Sequence, residues 1–260
     1  REKAMDNYLR VVEQALEWGI TPRCHFEDIT RADIHGFCLP FARKLMDLSK
    51  QSGQPVKIRM CDTMGYGVPY PGATLPRSVP RIVRAFTDEG GVPGQWLEWH
   101  GHNDFHKVLI NGATAWLYGC SGVNCTLLGF GERTGNTPLD EAAVSAKTLY
   151  GVESNIRFDK LYDISRQILE IAKFQIAPSK PVIGERAFTR ESGMGVDLVK
   201  SQPLALFGLQ PTWVGQKPQY VLGKKSGIAS IEMKCDDLGL APLTVEQKNA
   251  ALTLVKNLGL

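Results

Sequence analysis

What the 260-residue sequence lacks narrows the possibilities first. No apolar run approaches the roughly 18 residues needed to cross a bilayer, so no membrane span is expected. Charge of one sign is not in excess: 30 Lys and Arg stand against 27 Asp and Glu, a formal +3. The basic residues are scattered rather than massed, which argues against a nucleic-acid partner. The six cysteines, Cys24, Cys38, Cys61, Cys120, Cys125 and Cys235, show no paired spacing that suggests a disulfide framework or a zinc knuckle. They read as small buried hydrophobes of a reducing compartment, and a cytoplasmic location is expected. No Gly-rich phosphate fingerprint follows the first strand, which weakens a nucleotide-binding reading. The sequence opens on Arg1 rather than Met, inside a helical pattern, so an upstream segment is expected and targeting is left unread. What remains is ordinary for a soluble globular chain. It has 43 % hydrophobic, 8 % aromatic and 22 % charged residues, with 26 Gly and 15 Pro, and this excludes disordered and fibrous classes.

Hydrophobic periodicity gives the organisation. Ala4, Met5, Tyr8, Leu9, Val12, Ala15 and Leu16 share one helical face, stopped by Gly19. A repeat then begins. Strands are expected at Arg23–Phe26, Val56–Cys61, Trp96–His100 and Val123–Leu128. Helices should follow them at Ala32–Ser49, Val79–Phe86 and Lys107–Tyr118, with a fourth opened by Thr137-Pro138 as N-cap and first helical residue. The strands look apolar without clean alternation, as a buried parallel sheet requires. A (β/α)₈ barrel of roughly 250 residues spends about 31 on each unit, so four units in residues 20–150 make half a barrel. The pattern breaks after residue 150. A helix is expected at Lys160–Phe174, then a Gly- and Pro-rich stretch to about 240, then a last helix announced by the capping box Thr244…Gln247. The expected domains are 1–150, a half-barrel, and 151–260, a helical linker and small α-rich subdomain.

Four chemical signals fall at the ends of successive strands. In Trp99-His100-Gly101-His102-Asn103-Asp104 the two histidines stand at i and i+2 and project together from a strand, a good pair of ligands for a divalent first-row metal. The plain alternative is two solvated or core histidines. Cys61-Asp62-Thr63-Met64-Gly65 places an acid and a hydroxyl where a barrel keeps its active site, although the same residues also suit an ordinary turn. Gly129-Phe130-Gly131-Glu132-Arg133-Thr134-Gly135-Asn136 is a loop whose glycines permit unusual backbone turns. Arg23, His25 and Glu27 share one face of the first strand, a costly arrangement unless used. Their convergence favours the metal reading.

These residues resemble the acyl-CoA-condensing branch of the DRE-TIM metallolyase superfamily, which includes isopropylmalate, homocitrate, citramalate and Re-citrate synthases. The similarity runs from His25-Phe26-Glu27-Asp28 to Gly223-Lys224-Lys225-Ser226-Gly227. His100–Asp104 looks like the metal motif, and Gly131–Asn136 like the condensing-enzyme signature. The wording of Phe26–Asp33 and Cys61–Tyr70 is most similar to the Re-citrate synthase branch. The resemblance implies a (β/α)₈ barrel with a helical subdomain. It implies His100 and His102 as metal ligands with Asn136 close to the metal, and Thr63 holding the carboxylate of a 2-oxo acid. Arg23 and His25 would sit around the substrate, and Glu27 would orient it or accept a proton. Some family features are not matched here. The Asp-Arg-Glu strand with its acidic metal ligand is absent, His25 and His106 replace the usual Ser and Gly, Gly195 replaces a catalytic His, and Leu206 or Phe207 replaces a Tyr.

The expected activity is a Claisen condensation of acetyl-CoA with a 2-oxo acid, oxaloacetate first, with release of CoA. The expected cofactor is a divalent metal: Mn²⁺ first, with Co²⁺, Mg²⁺ and Zn²⁺ as alternatives. Homocitrate or 2-isopropylmalate synthesis is the alternative within the same chemistry. A non-catalytic fragment with a structural role is the alternative of another class. The base is expected to be Glu27, with His106 as rival. A homodimer is expected.

Overall fold

The strand–helix repeat of the first half folds as a parallel sheet. In a computed structural model, which describes residues 2–259, the chain divides into two units, Arg1–Val152 and Glu153–Leu260. The first begins with α1 (Glu2–Glu17), which buries Met5, Val12 and Leu16 and is followed by Gly19 in a left-handed turn (φ 71°). Then come β1 (Arg23–Phe26), α2 (Leu39–Ser52), β2 (Lys57–Asp62), α3 (Val79–Arg84), β3 (Leu97–Gly101), α4 (Val108–Leu117) and β4 (Gly122–Val123). The four strands pair in sequence order, all parallel. Local chemistry sets the helix starts. Asp33 accepts the Gly36 N–H (2.9 Å) in the turn before α2, and Ser78 caps α3 with Pro80 in its first turn.

Register then sorts the side chains. Cys24, Ile58 and Leu97 align across one face, as do Phe26, Met60, Trp99 and Val123. That face forms the core with Leu16, Leu45, Ile82 and Ala115 from the four helices. His25, Arg59 and Glu98 align across the other face, as do Cys61 and His100. β3 therefore alternates along its length and β2 up to Met60, contrary to the apolar pattern expected from sequence, while Met60, Cys61 and Asp62 are all buried. The helix-covered face forms the apolar core, and the opposite face carries most of the charge around the buried Cys61.

Two expectations near the fourth strand are corrected. Val123–Leu128 is not one strand: the main sheet stops at Val123, and β5 (Cys125–Thr126) pairs in parallel with β6 (Thr137–Pro138). Thr137-Pro138 is thus strand, and α5 (Leu139–Thr148) starts after it. The Thr137 hydroxyl is buried without a hydrogen-bond partner among the described residues, so it caps nothing.

In the second unit, α6 (Leu161–Ala172) precedes a two-stranded parallel ribbon, β7 (Thr189–Arg190) with β8 (Gln219–Tyr220), and α7 (Leu198–Ser201) lies between those strands in sequence. Val196, Val199 and Tyr220 form its small core. Then follow α8 (Ile228–Asp237), unexpected from sequence, and α9 (Val245–Leu258), which opens on the expected capping box. Thr244 donates its N–H to Gln247 Oε1 (2.9 Å), and Thr244 Oγ1 accepts the Gln247 N–H (3.2 Å). No helix among the described residues is long and apolar enough to cross a membrane.

Candidate active site

The site residues stand at the C-terminal ends of β1, β2 and β3, on the charged face. His100 is the fourth residue of β3 and His102 follows its end, and their rings meet edge to face at 5.1 Å. Asn136 reaches the same place from the Gly-rich loop. It forms a bridge with His102 and donates its side-chain amide to Gly101 O (3.2 Å). The loop allows this close approach because a Cβ on Gly131 would collide with Asn136 Oδ1. Burial first, and then the charges of His102 and Arg59, lowers the His100 pKa from its ordinary value. His102 Nδ1 is buried with no hydrogen-bond partner among the described residues, a cost that a bound cation or its water would remove. Two imidazoles and an amide are a fitting partial shell for a divalent first-row ion. The residues present fit a metal.

Beside them lies a second group. Thr63, just past β2, donates its hydroxyl to Glu27 Oε2 (2.9 Å) and accepts the Asp28 N–H (2.8 Å). His25 Nδ1 is 3.7 Å from Glu27 Oε1. His25 and Glu27 both lie near enough to act electrostatically on His100. Asp62, on the opposite face, is buried and structural. It accepts the Thr30 hydroxyl (2.7 Å) and the Gly67 N–H (3.0 Å), and burial raises its pKa despite those bonds.

Arg23 and His106 stand apart. Arg23 opens β1 at the far end of the strand, where it pairs with Glu98 (2.9 Å). His106 is exposed on a left-handed residue (φ 56°), and its side chain has no hydrogen bond or ion pair among the described residues. The strand face carrying Arg23, His25 and Glu27 was expected to be buried, yet all three are exposed here, because β1 is an edge strand.

Two features escaped sequence reasoning. Arg59 donates to Glu98 Oε2 (2.9 Å), so Glu98 holds two guanidinium groups. Burial raises the Glu98 pKa, but the Arg59 bond and the Arg23 charge outweigh it, and the group titrates below the usual range. Strand alternation was the available signal. Arg133, left-handed at φ 55°, grips Asp104 (2.9 Å) and donates to Thr63 O (2.6 Å), tying the Gly-rich loop to two strand ends. Nothing in the sequence marked that contact.

A family model described as HMGL-like matches residues 1–168. A citrate (Re)-synthase of Syntrophus aciditrophicus is 52 % identical over 205 residues, which are 78 % of this chain and 33 % of that protein. A citrate (Re)-synthase of Clostridium kluyveri is 42 % identical over 197 residues, 76 % of this chain and 44 % of that protein. The hydroxymethylglutaryl-CoA lyase structure from Pseudomonas aeruginosa shares 18 % identity at a TM-score of 0.51, covering 67 % of this chain and 57 % of that one, a likeness of fold. The chain spans about a third to under half of the length of these two citrate (Re)-synthases.

Proposed function

The chain belongs to the HMGL-like family, and on that premise we propose that it supplies the metal-binding side of an active site condensing acetyl-CoA with a 2-oxo acid. Oxaloacetate is the proposed oxo acid, citrate the product and CoA the leaving thiol, in keeping with the two citrate (Re)-synthase relatives. The observation that carries this reading is the meeting of the His100–His102–Asn136 donor set with the Thr63–Glu27 pair on one polar sheet face.

Bound at His100, His102 and Asn136, a divalent cation, with Mn²⁺ proposed first, would supply Lewis-acid polarisation of the ketone. The chain's own groups do the rest. Thr63 offers its hydroxyl to the substrate carboxylate. Glu27 takes a proton from the acetyl methyl group, and the electron pair of that C–H bond forms the new C–C bond to the ketone carbon. The ketone oxygen takes up a proton from solvent to become a hydroxyl, and water then adds at the thioester carbonyl and expels CoA as the thiol, leaving a carboxylate. His25, at the same strand end as Thr63 and Glu27, is the group that would meet a second carboxylate of the oxo acid.

The test is thiol release from acetyl-CoA by the full-length protein, scanned over oxaloacetate, 2-oxoglutarate, 2-oxoisovalerate and pyruvate. Oxaloacetate should lead, with citrate as product. Preference for 2-oxoglutarate or 2-oxoisovalerate would move the reading to homocitrate or isopropylmalate synthesis. Thiol release with none of the four would overturn it.

A further inference from the structure

The charged sheet face holds a second set of metal-capable donors. His25, Glu27 and Cys61 each present one ligand atom, and these atoms all lie within 4.8 Å of one another. The three come from adjacent parallel strands, β1 or the residue just past it and β2, so the cluster is made by register and not by sequence proximity. We infer that His25, Glu27 and Cys61 form a second divalent-cation site, distinct from His100–His102–Asn136 and selective for softer ions such as Zn²⁺, Cd²⁺ and Co²⁺.

The donor chemistry separates the two sites. Two imidazoles and an amide accept Mn²⁺ or Mg²⁺ readily, whereas a thiolate favours zinc-like ions. The geometry needs little change. Metal–ligand bonds of about 2.0 to 2.3 Å place even opposed ligands no more than about 4.5 Å apart, so the cluster must close by well under 2 Å. Cys61 is fully buried and fixed on β2. The side chains of His25 and Glu27 are 43 % and 61 % exposed, and Glu27 would keep one carboxylate oxygen on the Thr63 hydroxyl (2.9 Å) while the other turns toward the cation. Three protein ligands leave a fourth position for water. On binding, the Cys61 S–H bond breaks and its proton goes to solvent as the sulfur–metal bond forms. His25 gives the Nδ1 lone pair, and Glu27 gives one carboxylate oxygen. Burial and the neighbouring Glu27 raise the Cys61 pKa, so without a cation the sulfur stays a thiol.

A consequence follows that rests on the proposed condensation. An ion here takes the carboxylate assigned as base, so softer cations should inhibit while Mn²⁺ activates.

The experiment uses the full-length protein, stripped with chelator and titrated with Co²⁺. The second equivalent should bring up a thiolate-to-cobalt charge-transfer band in the near ultraviolet. That band should survive in a His100→Ala, His102→Ala double variant. It should disappear in Cys61→Ser, while His25→Ala and Glu27→Gln, at exposed positions that do not disturb the core, should weaken the second equivalent on the order of 10- to 100-fold. No charge-transfer band in the wild type, a band that persists in Cys61→Ser, or unchanged affinity in both His25→Ala and Glu27→Gln would overturn the site. A band without inhibition would leave the site standing and count against Glu27 as the base.

Discussion

Thr63 has one hydroxyl proton and two claimants for it. In the structure the proton goes to Glu27, while the hydroxyl oxygen accepts the Asp28 N–H. A substrate carboxylate bound at Thr63 would take that proton away and leave Glu27 with one hydrogen bond fewer. Glu27, freed of that hydrogen bond, would then be open to accept a proton from the acetyl methyl group. The expected outcome is that Glu27→Gln lowers deuterium exchange into the acetyl methyl group by at least about 100-fold, the low end of what a positioned base contributes, with metal binding at His100 and His102 retained. His106→Ala should leave exchange near wild type, since that side chain makes no contact with the cluster. If exchange survives Glu27→Gln and is lost in His106→Ala, the assignment reverses. The two histidines were legible in the sequence because i and i+2 on a strand must share a face. Cys61 was not legible as a neighbour of His25, because strand register is a tertiary fact that depends on how β1 and β2 are set against each other.

At the scale of elements, short motifs with a local mechanism were readable and those needing a partner were not. The box at Thr244 and Gln247 closes on itself within four residues, and α9 starts where the sequence places it. Thr137-Pro138 carries an equally good cap signal, yet pairing with Cys125–Thr126 claims its backbone first. Helix α8 was missed although Ile228, Ala229, Ile231, Met233 and Cys235 mark it, because the Gly- and Pro-rich stretch around it reads as one irregular run; Ser230 and Ile231 are its buried positions. Its C-terminal Asp237 takes hydrogen bonds from Lys200 of α7 and Tyr220 of β8, and so ties three elements together. Those bonds, Lys200 first, hold Asp237 below the usual carboxylate range. A depressed folded pKa contributes stability that is present above the unfolded value, about 3.9, and is lost as pH falls through the folded one. Asp237→Asn should therefore lower the thermal midpoint by a constant amount above about pH 5, and the gap should close below about pH 4. Circular dichroism melts of both proteins across that range check it, and a gap that stays constant down to about pH 3 would refute the tie.

At the scale of the molecule, the sheet has two unlike faces and two edges. One face is sealed by four helices, and the other carries Arg23, His25, Arg59, Glu98 and His100. In a closed barrel that second face lines the interior, and charged layers there are tolerable only when paired or used. Glu98 answers two arginines, so neither it nor they are left to serve the metal, and the carboxylate that would complete the metal shell has to come from elsewhere. The edges point the same way. β1 and β4 each pair on one side only among the described residues, and an unpaired parallel edge is a template for association. The matched regions make up 33 % and 44 % of the two citrate (Re)-synthase relatives, which extend well beyond them. These 260 residues expressed alone should therefore associate through the open edges and release no thiol from acetyl-CoA and oxaloacetate. Light scattering after size-exclusion chromatography and the thiol assay together check this. Pairing the open edges with a complementary half-barrel of four strand–helix units should restore a discrete species and turnover. A monodisperse, active 260-residue polypeptide would mean that this face closes on itself, and the half-barrel assignment would have to be abandoned.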